Sequence, residues 1–399
     1  MKKRSLLIKN AKILENNHFT SEKIIKIENG MIHNITDDSE NADINSTNPT
    51  DTNIIDAATF YITPGLIDNH VHLILNGAAD IITYVKKTTT EEFKKHAKDN
   101  LRQSLVHGIT TIRDMGDTAG ILAEIKQKHS SNNIHLLSSG EMLTGKKGHV
   151  KTIGKNLSTS PQQINTAVDQ QIAQQANYIK LIISGGMLTP GSNPLKSELP
   201  PTIVTQACKR AKQHQRPIAA HAYSNHDIIN AINAGVNTIE HGLWASKKTL
   251  QIAAKKNVLF TPTLKAAYDI IEHKDLLPTY MIKNADLIIN RASTFIKQAK
   301  QSEVKLAMGT DAGTPFNYHG ENAKELTYLT EHGLSTIEAI QSATKIPGHY
   351  LPTPSPTGMI KEGYTADLLI LEKNPLDDIK VFQHNIKYVI SKGICIKTK

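Results

Sequence analysis

Cysteine is almost absent from this sequence: Cys208 and Cys395 are the only two, far apart and without the paired spacing of a thiolate metal site. That excludes a disulfide scaffold and leaves free, buried thiols as the expectation for a cytoplasmic chain. Long apolar runs are missing too. No stretch approaches the ~18 residues of a membrane span. The basic start, Met1-Lys-Lys-Arg, is not followed by the apolar core of about 7–15 residues that a signal peptide needs, so it reads as the approach to a first strand. Nor does the net charge of +9 gather anywhere. It comes from scattered lysines without a block of roughly five or six, which favours a solvated basic surface over a nucleic-acid site. What is present is a globular composition, and 399 residues suffice for one barrel of about 250 residues with a smaller domain attached.

The chain changes rhythm twice. Residues 5–13 and 23–36 read as short strands with turns at Glu15-Asn-Asn and Glu28-Asn-Gly30, and the polar stretch 37–53 reads as a mobile surface loop. From residue 62, apolar runs alternate with amphipathic helices. Ser160-Pro161 opens one helix, carrying Ile164, Val168 and Ile172 at helical spacing. Asp227–Ala234 is another, closed by Gly235, and Ser335-Thr-Ile-Glu338 is a capping box. Apolar runs ending near His72, Arg113, Ser139, Lys180, His221, His241, Thr263 and Thr310 give eight strands. The predicted fold is α/β, a (β/α)8 TIM barrel over 62–355. A small β-sandwich domain from both chain ends, 1–61 and 356–399, accompanies it.

The chemistry is expected at the C-terminal ends of the barrel strands. His70 and His72 end an apolar strand, and residues i and i+2 of a strand share a face, so both imidazoles can meet one ion. Lys180 lies in Tyr178-Ile-Lys-Leu-Ile-Ile183, apolar on both faces. Either it snorkels to water from the strand end, or burial lowers its pKa and it captures carbon dioxide as a carbamate bridging two cations. The company of four histidines and an aspartate favours the carbamate. His221 and His241 each end a strand, and Asp311 ends Lys305-Leu-Ala-Met-Gly-Thr310, as an N-cap or as a ligand. His129, His214 and His273 fall on polar helices and read as surface residues.

Pro64-Gly-Leu-Ile-Asp-Asn-His70-Val-His72, Gly108-Ile-Thr-Thr-Ile-Arg-Asp114, Glu240-His241-Gly242 and Gly309-Thr-Asp311-Ala-Gly313 together resemble the amidohydrolase superfamily. Gly358-Met-Ile-Lys-Glu-Gly363 with Ala366-Asp-Leu-Leu-Ile370 is similar to its return into the β domain. Ile179-Lys-Leu-Ile-Ile-Ser-Gly-Gly186 and His221-Ala-Tyr223 resemble the branch of zinc-dependent Xaa-Pro dipeptidases (prolidases), which is grouped with imidazolonepropionases. The resemblance implies two divalent ions, usually zinc: His70 and His72 on one, His221 and His241 on the other, carboxylated Lys180 bridging, and Asp311 beside a bridging hydroxide as proton shuttle. It implies Tyr223 as hydrogen-bond donor to the oxyanion, and a dipeptide or N-acyl amino acid as substrate. The branch's other members suggest self-association as a homo-oligomer, while the scattered lysines and the lack of a long apolar run argue against a nucleic-acid or membrane partner.

The family's Thr-Gly-Gly-His-Gly loop supplies a substrate-facing histidine. Here the loop reads Thr144-Gly-Lys-Lys-Gly-His149-Val, longer and carrying Lys146 and Lys147, either of which could meet a substrate carboxylate. Tyr223, His149 and His319 are the expected substrate contacts, and Arg113 is expected near the pocket. Opening of a cyclic amide or lactone is the alternative on the same site. A deaminase is disfavoured, because no acid follows His221 until Asp227. A barrel kept as a metal-free binding module should have lost ligands, and none of the six positions is substituted.

Overall fold

The computed structural model describes residues 5–37, 52–118, 120–128, 133–145, 148–157 and 160–397. Most of the expected loop at 37–53, together with Lys146, Lys147 and His129, lies outside the described residues.

The alternation from residue 62 onward becomes parallel strands with helices between them. Leu66–Val71, Ile109–Asp114 and His135–Ser138 form one three-stranded sheet. Leu143–Gly145, Ile179–Ile182, Ile218–Ala222, Thr238–His241 and Leu259–Thr261 belong to a second sheet, with Lys155–Leu157 at its edge. Every residue of Leu66–Val71, Ile179–Ile182 and Ile218–Ala222 is buried. Strands covered on both faces read as continuous apolar runs, which is why their periodicity of two is invisible in the sequence.

Seven of the eight expected strands form. The eighth, 305–312, makes only isolated parallel bridges, Phe260 to Leu306 on one side and Val71 to Ala312 on the other. Asp311 interrupts it with φ +58°, outside the extended region. The segment still joins both sheets, since Phe260 N–H donates to Lys305 O at 3.0 Å and Asn69 N–H to Met308 O at 3.0 Å. At the other gap, Asn177 N–H donates to Ser138 O at 2.8 Å.

The helices follow their local signals. Pro161–Ala173 begins on its proline and buries Ile164 and Val168, with Ile172 half-buried beside them. Asn225–Ala234 ends at Gly235 with φ +101°, a conformation glycine adopts without steric cost. The Ser335 capping box is present, and Thr89 with Glu92 forms another.

Strands from both chain ends share one further sheet. Its order is Ile394–Lys397, Ile386–Ser391, Leu368–Leu371, Tyr61–Pro64, Ser5–Glu15, His18–Glu28 and Met31–Asp37, while Thr52–Asp56 pairs with Ser5–Glu15. Leu368 to Leu371 run antiparallel to Pro64 to Tyr61, and Ile8, Ile25, Ile62, Leu368, Ile370 and Ile390 build a separate core. Cys208 is buried as expected, but Cys395 is exposed on the sheet's edge strand, a correction to the expectation of two buried thiols. No helix among the described residues is long and apolar enough to cross a membrane.

Candidate active site

All six expected ligands line one cavity: His70, His72, Lys180, His221, His241 and Asp311, together with His149 and Tyr223. Buried polar bonds lock the elements that carry them. Asp68, on the strand of the histidine pair, accepts hydrogen bonds from His70 N–H (3.1 Å), Thr310 N–H (3.2 Å), the Thr310 hydroxyl (2.6 Å) and Asn322 Nδ2 (2.7 Å). One carboxylate thus ties the His70 strand to the segment of Asp311. Gly309 permits the approach, because a Cβ there would stand 2.9 Å from His70 Cβ.

The orientation of each imidazole is set from behind. His70 Nδ1–H donates to Glu240 Oε2 at 3.0 Å, and His72 Nδ1–H to Gly116 O at 3.4 Å. Each then turns the Nε2 lone pair forward, and both point at the same atom, Asp311 Oδ1, at 3.3 and 3.2 Å. His221 is reversed: Nε2–H donates to Gly185 O at 2.9 Å, which leaves Nδ1 for the cavity. His241 Nδ1 meets Thr263 Oγ1 at 2.7 Å and keeps Nε2 free. The ring centroids of His221 and His241 stand 4.5 Å apart, those of His70 and His241 5.3 Å, and Tyr223 stacks on His241 at 4.8 Å.

The electrostatics demand a positive charge in the middle. Burial, joined by neighbouring positive groups, holds His221 and His241 well below the usual imidazole range, so both are neutral. His149 is pushed down to about 4, chiefly by burial. For His72 burial is outweighed by the Asp311 carboxylate, and its pKa rises. Asp311 is correspondingly held well below the carboxylate range by His70 and His72 against the cost of burial. Its Oδ1 has no hydrogen-bond partner among the described residues, and neither has Lys180 Nζ. Burial lowers the Lys180 amine to about 8, against the pull of Glu240 and Asp311.

His70 Nε2, His72 Nε2 and Asp311 Oδ1 face one another, and a proton held on an imidazole or a cation between the three relieves their repulsion. The coordinating atoms of His70, His72 and Asp311 all fall within 4.8 Å of one another. Neutral imidazoles plus a carboxylate fit a borderline divalent ion such as zinc.

Three buried backbones at this mouth are left-handed without being glycine: His241 (φ +68°), Thr263 (+55°) and Asp311 (+58°). Each costs on the order of 1–3 kcal/mol, and such strain gathers at functional sites.

His319 does not line the cavity, contrary to its expected substrate contact. Its Nε2–H donates to His72 O at 3.2 Å, so it braces the ligand strand, and burial lowers its pKa to about 4. Arg113 is also withdrawn: Nη1–H donates to Glu240 Oε1 at 3.1 Å and the guanidinium lies 4.3 Å over the Tyr178 ring. His214 and His273 cap helix ends, His214 beside Asp169 and His273 stacked on Phe316.

Glu240 is the residue that sequence reasoning passed over. Burial raises its pKa, but Arg113 and His70 outweigh this and hold it charged, well below the carboxylate range. The available signal was a carboxylate inside a strand core, which needs partners. Glu240→Gln is expected to weaken metal binding about 10- to 100-fold, the usual cost of removing an outer carboxylate from a ligating histidine. Chelator competition measures this, and an unchanged affinity would show that His70 is oriented without Glu240.

Residues 61–395 match the model of the amidohydrolase family. The chain is 26% identical over 365 residues to ochratoxinase of Aspergillus niger, covering 81% of this chain and 72% of that one. A solved Xaa-Pro dipeptidase with methionine bound in its active site superposes with a TM-score of 0.88 at 26% identity, over 98% of this chain and 100% of the other. A prolidase solved with N-methylphosphonate-L-proline gives a TM-score of 0.89 at 21% identity, over 99% and 100%.

Proposed function

The chain belongs to the amidohydrolase family and is a hydrolase of carbon–nitrogen bonds, and from that premise we propose that it cleaves a peptide-like amide. The proposed substrate is a dipeptide of the Xaa-Pro type or an N-acyl amino acid, and the proposed cofactors are two divalent ions, zinc first among them. The observation that carries this reading is the convergence of ligand atoms of His70, His72 and Asp311 within 4.8 Å of one another, beside a buried Lys180 whose Nζ has no hydrogen-bond partner among the described residues. The ochratoxinase and Xaa-Pro dipeptidase likenesses support the amide class.

His70 and His72 would hold one ion and His221 and His241 the other, with Lys180 as the bridge. An amine with a pKa of about 8 is mostly protonated at neutral pH but keeps a minor free fraction, far larger than an ordinary lysine has, that can attack carbon dioxide. A carbon–nitrogen bond forms, one proton leaves, and the resulting carbamate offers two oxygens where the bare amine offered one nitrogen. When bound, divalent ions supply an acidified water and polarisation of the substrate carbonyl. Asp311 takes the proton of the attacking water and delivers it to the leaving amine. Tyr223, in the cavity and stacked on His241, donates its phenol hydrogen to the oxyanion that develops. His149 faces the substrate, pinned through Nδ1 to Thr189 Oγ1 at 3.0 Å.

In the same reading the two parallel sheets are walls of one (β/α)8 barrel over 62–355, completed by the bridging segment 305–312. The mixed sheet is the β-sandwich domain of 1–61 and 356–399.

The test is a panel of dipeptides and N-acyl amino acids on zinc-loaded protein, with hydantoins and lactones included, alongside metal analysis. Amide turnover with close to two ions per chain is expected. Turnover of the cyclic compounds alone, or metal-free protein from metal-replete growth, would refute the assignment.

A further inference from the structure

The cavity is lined by two unlike sets of side chains. One is the cluster of histidines and hydrogen-bonding groups. The other is an apolar set that includes Leu75, Met142, Val150, Ile153, Met187 and Leu188. Lys180 and Asp311 are the sole Lys, Arg, Asp or Glu side chains among the described residues lining the cavity. The apolar set comes from separate parts of the chain: the stretch after Leu66–Val71, the residues flanking Leu143–Gly145, and the segment after Ile179–Ile182. It is fixed in place, since Thr189 Oγ1 accepts from Val150 N–H at 3.0 Å and the Tyr280 hydroxyl donates to Leu188 O at 3.3 Å. The non-atom space enclosed by these side chains, with the open mouth and its solvent counted in, is about 490 Å³.

Resting on the amide-hydrolase reading, we propose that this apolar set forms a side-chain subsite that selects substrates bearing one uncharged apolar group, aliphatic, thioether or aromatic, next to the scissile amide. Two physical arguments carry it. A charged side chain placed against the apolar set would lose its water and find no partner of opposite sign among the described residues of that set. An apolar one gains the free energy of leaving water, worth roughly 10- to 100-fold in binding for a leucine- or phenylalanine-sized group. The two methionines make the selection broad within the apolar class. Their unbranched thioethers adapt to differently shaped partners and contact aromatic rings favourably. The subsite therefore discriminates by charge and not by shape.

The test uses zinc-loaded full-length protein and two readouts. The first is kcat/KM for N-acetyl amino acids in which leucine, methionine, phenylalanine, glycine, aspartate or lysine is the variable residue. The second is calorimetric binding of those free amino acids, which needs no turnover. Leucine, methionine and phenylalanine are expected within about 10-fold of one another, about 10- to 100-fold above glycine, and about 100-fold or more above aspartate and lysine. Met187→Asp is expected to shift the preference toward lysine by at least about 10-fold in both readouts; Ile153→Asp serves if that variant does not fold. Equal binding of aspartate, lysine and leucine overturns the subsite, as does an unaltered preference in a folded Asp variant. Hydrolysis of the whole panel at equal kcat/KM overturns the subsite while the amide reading stands. Apolar-selective binding without hydrolysis of any member keeps the subsite and refutes the amide reading.

Discussion

Lys180→Ala is expected to lower kcat/KM by about a thousandfold or more, because in the proposed mechanism it removes the bridge between two cations on which water activation depends. Metal content should fall from two ions per chain toward one. The partner experiment is Lys180→Met. In the bare protein the Lys180 amine is buried, and Nζ has no hydrogen-bond partner among the described residues. Such a group destabilises the fold, and an apolar replacement of similar length removes that cost. The methionine variant should therefore melt at the same temperature as metal-free wild type or higher, while being inactive. A lysine with a purely structural role predicts the reverse, a lower melting temperature with turnover preserved. Wild-type protein should also lose activity on exhaustive removal of carbon dioxide and regain it with bicarbonate, a response that the methionine variant cannot show.

Asp311→Asn is expected to reduce kcat by about 10²- to 10⁴-fold, the usual share of a positioned general acid–base group. KM should change little, and bound metal should be retained by the four histidines and Lys180. The substitution suits the site sterically. Asp311 sits at φ +58°, a region that asparagine tolerates nearly as well as aspartate. Folding is therefore not the expected casualty, and near-identical melting curves would confirm it. Turnover of the asparagine variant at the wild-type rate would falsify the proton-shuttle role. A loss of both ions would instead assign Asp311 to holding the metal.

The sequence made the six side chains that meet in the cavity legible because their signals are local. His70 and His72 are two apart on a strand, and the other candidates stand at the ends of short apolar runs, which parallel strands buried on both faces produce. Helix boundaries were legible for the same reason, through the capping box at Ser335 and the glycine at 235. What was not legible is what depends on distant pairs. Glu240 meets Arg113 across 127 positions and His70 across 170, and nothing near Glu240 in sequence names either partner. Asp68 reaches Thr310 across 242. His319 had no spacing argument behind it as a pocket residue, and its Nε2–H meets the carbonyl of His72 instead. The eighth strand pairs only through single bridges at Leu306 and Ala312, a loss of ladder that its apolar run does not announce.

The sheet shared by the chain ends has a consequence for synthesis. Tyr61–Pro64 is made early, yet its neighbour on one side, Leu368–Leu371, follows about 300 residues later. At ribosomal speeds of about 5–20 residues per second, that strand's backbone waits on the order of 15 to 60 seconds with one side unpaired. Unpaired strand edges are templates for sticking to other chains. The nascent protein is thus most exposed to misassembly before Leu368–Leu371 emerges, long after every residue proposed to hold metal has been translated.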